Sequence, residues 1–497
     1  MALMELKNKR VLVVGIGKSG ISAAMFLRGL GARVTVSDTR SAVALAEQIP
    51  ALLDAGVMVE SGGHGLLTFR RQDLIVVSPG VPYDTPELKQ VRAYGKDGPP
   101  IIGELELASR FLQGNVLAIT GSNGKTTTTS LLGKIFADAG GPTLVGGNIG
   151  TPVIELVGPS IELTRQIAEK QNTGILRSAQ NDKQSAGDDK QDGSNDKQDV
   201  WSVLEVSSFQ LETVEEFHPR IAVVLNITPD HLDRHGTFET YAAMKARITE
   251  RQGPEDFLVL NAEDKPTQMV AAKTRAQVFW FSGRRPIKQG AFVHGESILF
   301  VPREGAKAEP VMPVAEIPLR GAHNVENVLA AVCAARLAGI PAESIRASVA
   351  SFRAVEHRLE YVDSVRGVAF YNDSKATNVD ATRKALEAFP GGVRLILGGK
   401  DKNSDYRELS DLLRARVKTV ATIGSAAEKI ERQLAVVVKI VSAGTLEVAV
   451  RGLAHDAEPG DVVLLAPACS SFDQFDSYEH RGRVFKELVK QLVAVSS

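Results

Sequence analysis

Residues 116–129, V-L-A-I-T-G-S-N-G-K-T-T-T-T, limit the fold more than any other stretch. The apolar run from Val116 to Ile119 reads as a buried strand, a glycine-containing loop follows, and Leu131, Leu132, Ile135 and Phe136 recur at helical spacing. This is the strand–loop–helix context of a phosphate-binding loop. Gly121 and Gly124 let Ser122, Asn123 and their neighbours turn backbone N–H groups toward a polyphosphate. Lys125 adds a point charge, and the Thr126 hydroxyl, beside Thr127, can reach a magnesium ion at the helix N-terminus. The full pattern has another glycine five residues before Gly124, where Ile119 stands, so what remains is G-x-x-G-K-T. A polar helix cap with a solvated lysine is the bland alternative; the ordered run of strand, glycines, Lys and Thr favours an ATP or GTP site.

With 497 residues the chain has room for roughly three domains. Its 58 Lys+Arg and 59 Asp+Glu balance to a net charge of −1, which gives no global reason to expect nucleic acid or an anionic membrane as partner. Cys333 and Cys469 cannot form a disulfide framework and suit a reducing compartment. Both read as packed core residues. The start lacks an apolar signal-peptide core, and no run approaches the roughly eighteen apolar residues of a membrane span. The expectation is a cytoplasmic protein without membrane insertion.

In chain order, a strand over 10–14 leads into G-I-G-K-S-G, Gly15 to Gly20, then a helix, then a strand over 33–37 ending at Asp38-Thr39-Arg40. This is a Rossmann-type opening, with an acidic residue near the distance at which one would bind a ribose. Mononucleotide, nucleotide-sugar and dinucleotide readings all fit the turn. A strand over 74–77 runs into Ser78-Pro79-Gly80-Val81, either a plain turn or a ligand contact, and the first boundary falls near 112.

Beyond the phosphate loop, Gly146-Gly147-Asn148 is a glycine turn carrying one amide side chain. From 172 to 199 almost nothing is apolar, and an Asn/Asp-Asp-Lys-Gln unit recurs every seven residues without apolar seam positions. That reads as a disordered, low-complexity insertion. Ordered sequence resumes with a strand over 201–204 and Glu205, where a carboxylate can serve a magnesium-bound phosphate. A strand over 221–227 then runs into Thr228-Pro229-Asp230-His231, and a helix beginning at Phe238 carries Tyr241 and Lys245. His231 beside acids at a strand's carboxyl end reads as a metal or phosphate ligand.

Taken together, G-x-x-G-K-T, Glu205-x-Ser-Ser-Phe-Gln-Leu, Asp230-His-Leu-Asp and Tyr241-x-x-x-Lys245 resemble the central domain of the Mur ligases, enzymes that join amino acids to a UDP-linked muramyl precursor. The resemblance continues through Gly321-x-His-Asn-x-x-Asn327, His357-Arg358 and Asp373-Ser-Lys-Ala-Thr-Asn378. It implies three α/β domains: a Rossmann-type domain over 1–112, a P-loop ATPase domain with a mostly parallel sheet over 113–320, and a Rossmann-like amino-acid domain over 321–497. Domain closure on ATP is expected to exclude water from the junction. The first-domain motifs, with Gly398-Gly-Lys-Asp-Lys402 and the segment from Pro467 to Phe475, resemble the family member that adds D-glutamate.

By that resemblance the protein is a monomer whose substrates are ATP, UDP-N-acetylmuramoyl-L-alanine and D-glutamate, and its reaction passes through an acyl phosphate. Gly17, Lys18, Ser19, Asp38, Thr39, Arg40, Ser78, Gly80, Asn148 and His231 are assigned to the UDP substrate. Asn324, Asn327, Arg358 and Asp373 join the loop residues on ATP, with Lys375 catalytic. Thr377, Lys402, Ser471, Phe472 and Tyr478 surround D-glutamate. Thr126, Glu205 and His231 hold magnesium, and Lys245, carrying a carbamate made from carbon dioxide, ligates a second ion. A nicotinamide-dependent dehydrogenase fused to an ATPase is the reading from another class; it leaves the Asp373 and Pro467 segments without work, as does a simple nucleotide switch.

Overall fold

The computed structural model describes residues 4–181, 199–319, 321–353 and 356–496. Three sheets follow one another along the chain. The first contains β1 (Arg10–Val14), β2 (Arg33–Asp38), β3 (Met58–Ser61), β4 (Leu74–Val77) and β5 (Ile101–Gly103), all parallel, in the order 3-2-1-4-5. Its central strands are apolar at nearly every position because helices cover both faces. The order reverses between β1 and β4, which opens a crevice at their carboxyl ends.

The second sheet contains β6 (Asn115–Thr120), β7 (Thr143–Gly147), β8 (Trp201–Glu205), β9 (Ile221–Val224), β10 (Phe257–Asn261), β11 (Gln277–Ser282), β12 (Gly290–His294), β13 (Ser297–Val301) and β14 (Glu309–Pro313), ordered 14-13-12-11-10-9-6-8-7. Pairing is parallel except along β12–β13–β14. β9 ends at Val224, short of the expected 227, because Leu225 N donates to Thr120 O and Asn226 O accepts from Ser122 N, fastening the chain to the phosphate loop. The third sheet contains β15 (Glu360–Val365), β16 (Val368–Asn372), β17 (Val393–Gly398), β18 (Val417–Ile423), β19 (Ile440–Gly444) and β20 (Val462–Leu465), ordered 15-16-20-17-18-19, with only β15 antiparallel.

Two boundaries differ from the sequence expectation. Helices Ala322–Leu337 and Ala342–Ala350 pack in one core with helix Lys125–Asp138 and the second sheet, so the division expected at 320 falls after 350. Helix Val157–Asn181 also runs into the stretch read as disordered from 172. Once a helix is nucleated, adding a residue costs far less than starting a new turn, so a helix can run on into a polar stretch. The remainder of that insertion, 182–198, lies outside the described residues. No helix among the described residues is long and apolar enough to cross a membrane.

Helix Glu104–Ser109, directly after β5, fastens the first unit to the second. Glu106 accepts from Arg110 Nε and from the backbone N–H groups of Glu215, Glu216 and Phe217 at 2.8–3.1 Å. Glu104 accepts from Ile154 N at 2.7 Å, while its Oε2 is buried without a partner among the described residues. Burial pushes the Glu104 carboxyl up to about 7, against hydrogen bonds from Ile154 and Val153, with Glu155 adding to the rise. A carboxyl raised in the folded state costs nothing below its unfolded value and destabilises as pH climbs through its folded value. Glu104→Gln is therefore expected to gain about 3 kcal/mol over the parent between pH 4.5 and 8. Paired melting curves across that range check it: a Tm difference that does not grow with pH counts against a proton on Glu104.

Candidate active site

Strand register builds the phosphate loop. β8 runs parallel to β6 with Glu205 opposite Ile119, which brings its carboxylate to the loop that starts at Gly121. Gly124 takes φ 88°, and a Cβ there would stand 2.2 Å from Asn327 Oδ1, so both conformation and space demand glycine. Asn226 clamps the loop, its Oδ1 accepting from Asn123 N at 2.8 Å and its Nδ2 donating to Asn123 O at 3.0 Å. Ser122 Oγ donates to Thr228 O and pairs with Tyr241 OH, and Asn123 Nδ2 donates to Asp380 Oδ2. These bonds hold the loop's shape but spend the N–H groups of Ser122 and Asn123, expected from the sequence to face a polyphosphate, on Asn226, so that role passes to the N-terminus of helix Lys125–Asp138.

Charge converges on that loop. Lys125 Nζ donates to Gly121 O at 2.8 Å and Ser122 O at 3.0 Å. Lys245, buried on helix Phe238–Ala246, donates to the same Gly121 O at 2.8 Å. Burial, then the neighbouring Lys125 ammonium, hold the Lys245 amine well below the usual lysine range, against the pull of Asp230 and Glu205. Burial also lowers Lys125. For Glu205, burial opposes ionisation, but Lys375, Lys125, the hydrogen bond from Asn148 and the nearby Thr126 hydroxyl prevail and keep the carboxyl below its ordinary value. Its Oε1 accepts from Asn148 Nδ2 at 2.8 Å, and Oε2 is buried with no partner among the described residues. An orphaned, ionised oxygen beside a threonine hydroxyl suits a hard cation.

His231 takes a left-handed backbone, φ 53°, at the start of helix Leu232–His235, with Nε2 3.7 Å from Asp230 Oδ2. Burial pushes its imidazole down to about 4 against the pull of Asp230, with Lys402, Lys125 and Lys245 adding to the drop. At pH 7 it is neutral, the form that can ligate a metal.

The third unit reaches across to this loop. Lys375 Nζ donates to Thr126 Oγ1 at 2.6 Å, and Arg358 Nη2 donates to the same oxygen at 3.3 Å. Asn378 Nδ2 donates to Asp230 Oδ2, and Lys402 Nζ lies 3.8 Å from Asp230 Oδ1. Asn324, Asn327, Arg358, Asp373 and Lys375 line one cavity with Gly124 and Thr127. Asp373 accepts from Leu359 N, and burial pushes its carboxyl up to about 6. His323, Glu326, Phe281 and Lys384 line that cavity too. His323 and Glu326 stand within the motif that opens helix Ala322–Leu337, whereas Phe281 on β11 and Lys384 on helix Val379–Glu387 lie outside every motif and are brought in by packing alone.

Residues 9–103 match the Mur ligase MurD-like N-terminal domain, 119–335 the Mur ligase middle domain, and 357–469 the Mur ligase glutamate ligase domain. The UDP-N-acetylmuramoylalanine–D-glutamate ligase of Acidobacterium capsulatum is 62% identical over 486 residues, covering 98% of this chain and 97% of that protein. The enzyme of that name from Koribacter versatilis is 56% identical over 489 residues, with 98% and 99% covered. The chain belongs to the Mur ligase family. Solved Mur ligases share its fold: MurC of Thermotoga maritima superimposes with a TM-score of 0.57 at 17% identity over 97% of this chain and 100% of that one. MurF of the same organism, solved with ADP, gives 0.54 at 16% identity over 99% and 97%.

In this Mur ligase a second cavity, of about 790 Å3, opens at the carboxyl ends of β1, β2 and β4. Gly17, Lys18, Ser19, Asp38, Thr39, Arg40, Ser78, Gly80 and Asn148 all line it; His231 does not, and belongs instead with Asp230 beside the phosphate loop. Asp38 already has partners within the chain. It accepts from Ile16 N, Arg40 N, Arg40 Nε and Arg40 Nη2, which fills a carboxylate's acceptor sites. Burial opposes its charge, yet these bonds bring it down to about 2. Asp38 thus shapes the cavity and aims Arg40. His64 and Gln210 also line the cavity; Gln210 stands within the Glu205-x-Ser-Ser-Phe-Gln-Leu motif without an assigned role, and His64 carries no sequence signal.

The residues expected around the amino acid lie on three segments of the third unit. Thr377 follows Lys375, with Thr377 N donating to Lys375 O. Lys402 follows β17, and Ser471, buried, follows β20. Lys375 Nζ lies 5.0 Å from the Tyr478 ring centroid, while Phe472 is 68% exposed.

Proposed function

We propose that this Mur ligase joins D-glutamate to UDP-N-acetylmuramoyl-L-alanine while converting ATP to ADP and phosphate, a step of peptidoglycan precursor synthesis. The observation that carries the reading is the near full-length identity to enzymes of that name, in a chain whose phosphate loop and glutamate-ligase domain meet at one site. A carboxylate does not acylate an amine at neutral pH because its oxygen is a poor leaving group. Transfer of the γ-phosphoryl group to the alanyl carboxylate makes an acyl phosphate; the amine of D-glutamate attacks its carbonyl carbon and phosphate departs. Such a transfer asks mainly for positioning and charge neutralisation.

The geometry supports the following assignments. The N-terminus of helix Lys125–Asp138, with Lys125 and Thr126, takes the triphosphate, and Asn324, Asn327, Arg358 and Asp373 take the rest of ATP. The β1–β4 cavity, with Arg40 aimed by Asp38, takes the UDP end. Glu205, Thr126 and His231 hold magnesium, which when bound neutralises phosphate oxygens; the orphaned Glu205 Oε2 and the neutral imidazole fit that role. Lys245 as a carbamate serves a second ion, a reading supported by its low-pKa amine. Lys402 and the Ser471 segment take D-glutamate, with Thr377 and Tyr478 beside them. Buried, unpaired Cys333 and Cys469 support a cytoplasmic setting, and assembly of every site from one chain supports a monomer.

The test is phosphate release with ATP, magnesium and the UDP-muramoyl-alanine substrate across a panel of amino acids. Release is expected to require D-glutamate and to yield the matching product mass. A requirement for a different amino acid overturns the third-unit reading, and release that no amino acid stimulates overturns the ligase reading.

A further inference from the structure

The two loops proposed to hold D-glutamate are tied together by a side chain that belongs to neither. Lys402 lies on the loop after β17, and Ser471 on the loop after β20. A main-chain bridge joins their outer parts: Lys400 N donates to Ser470 O at 2.9 Å, and Ser470 N donates to Lys400 O at 3.2 Å. Deeper in the core stands Tyr406, fully buried, at the start of the short helical turn Tyr406–Leu409. Its hydroxyl donates to Asp401 Oδ1 at 2.8 Å and lies 2.9 Å from Cys469 Sγ. Asp401 immediately precedes Lys402, and Cys469 stands two residues before Ser471.

The direction of this chain of bonds follows from the charges. Asp401 also accepts from Lys429 Nζ at 2.7 Å and from Ser404 N at 3.1 Å. Against the cost of burial, these bonds keep it ionised. An ionised carboxylate only accepts, and a phenol has one hydrogen, so the hydroxyl spends it on Asp401 and its oxygen is left to accept from the Cys469 thiol. Burial pushes that thiol up to about 12, so its hydrogen is present at neutral pH. The result is a directed series, Cys469 S–H to Tyr406 O–H to Asp401, with Lys429 holding the far end.

We propose that Tyr406 is a positioning residue for amino-acid recognition: through Asp401 and Cys469 it fixes the spacing between the ammonium of Lys402 and the main chain at Ser471, the two groups that would grip the carboxylates of D-glutamate. This rests on the proposed amino-acid site and adds to it a residue that touches no substrate. Main-chain pairing at Lys400 and Ser470 sets the loops' register; the Tyr406 hydroxyl supplies a second point of attachment and so removes rotation about the first. A lysine on a loop free to pivot loses its charge-assisted hydrogen bond by shifts well under an ångström.

The test is steady-state kinetics of Tyr406→Phe in the full-length enzyme, with each substrate varied in turn. KM for D-glutamate is expected to rise about 5- to 10-fold while kcat and the KM values for ATP and the UDP substrate stay within about twofold. Unchanged KM for D-glutamate overturns the proposal, as does a parallel rise in all three KM values, which would mark a general packing role. A second pair serves if Tyr406→Phe fails to fold: Cys469→Ala removes the donor and is expected to raise KM for D-glutamate about 3-fold, whereas Cys469→Ser restores a donor and keeps it near the parent. Equal values for that pair overturn the proposal. Lys402→Ala separates the two levels of inference. If it leaves KM for D-glutamate unchanged, the amino-acid site itself is wrong; if it raises KM steeply while Tyr406→Phe does nothing, the site stands and the positioning role falls.

Discussion

Lys125→Ala is expected to lower kcat/KM for ATP by about 10³-fold or more, with the fold intact. Lys125 spends its hydrogens on Gly121 O and Ser122 O, the carbonyls of the loop that would receive the triphosphate. Burial lowers its pKa, so its charge is held there at a cost. A triphosphate offers it an anionic partner in a poorly hydrated site, where the attraction is far stronger than in water. Removing it deletes charge that grows in importance as negative charge moves between oxygens in the transition state. Arginine is no substitute, because its planar fork cannot reproduce a compact ammonium between two carbonyls about 3 Å away. ATP titration by calorimetry together with phosphate release checks this; a variant keeping more than about a tenth of the parental kcat/KM removes Lys125 from the phosphate site.

The phosphate loop was legible because its chemistry is local: strand, glycines, Lys and Thr lie within fourteen residues. Glu205 was legible for a related reason, since parallel pairing of β8 with β6 puts any strand-end residue of β8 beside the loop. Asp38 was legible as a position, while its partners within the chain were not. Its spacing from the glycine turn is what a ribose ligand needs, but Arg40, two residues on, takes its oxygens. Sequence spacing reports where a carboxylate stands and says nothing of what already occupies it.

The boundary at 320 failed on packing. Helix Ala322–Leu337 opens with a motif that the resemblance assigns to ATP, and its alanines permit close approach to helix Lys125–Asp138, but the small residues carry no mark of which sheet they cover. The Tyr406 network was invisible for a similar reason. Its partners come from positions 401, 406, 429 and 469, and only the adjacency of β17, β18 and β20 brings them together. Long-range side-chain bonds within a core have no period and no motif.

Lys245 is where local charge and proposed chemistry press hardest on each other, and Lys245→Ala is expected to lower kcat about 10²- to 10³-fold. As an ammonium it would stand in a buried site beside Lys125 and against cations at Glu205, an arrangement Coulomb repulsion opposes. The lowered amine pKa supports the proposed way out: a neutral amine would attack carbon dioxide, forming an N–C bond and releasing a proton, and the product would be an anionic oxygen ligand in place of a cation. Because that step releases a proton, the carbamate gains ground as pH rises and as dissolved carbon dioxide rises. Turnover is therefore expected to fall in carbon dioxide-depleted buffer and to recover on adding bicarbonate. Lys245→Arg is not expected to rescue the alanine variant, since guanidinium stays cationic and forms no carbamate. Carbon-13 NMR after equilibration with labelled bicarbonate reads the group directly: one carbamate resonance in the parent, none in Lys245→Ala. If that resonance is missing in the parent and depletion leaves kcat unchanged, Lys245 acts as an amine, and the second magnesium loses the ligand proposed for it.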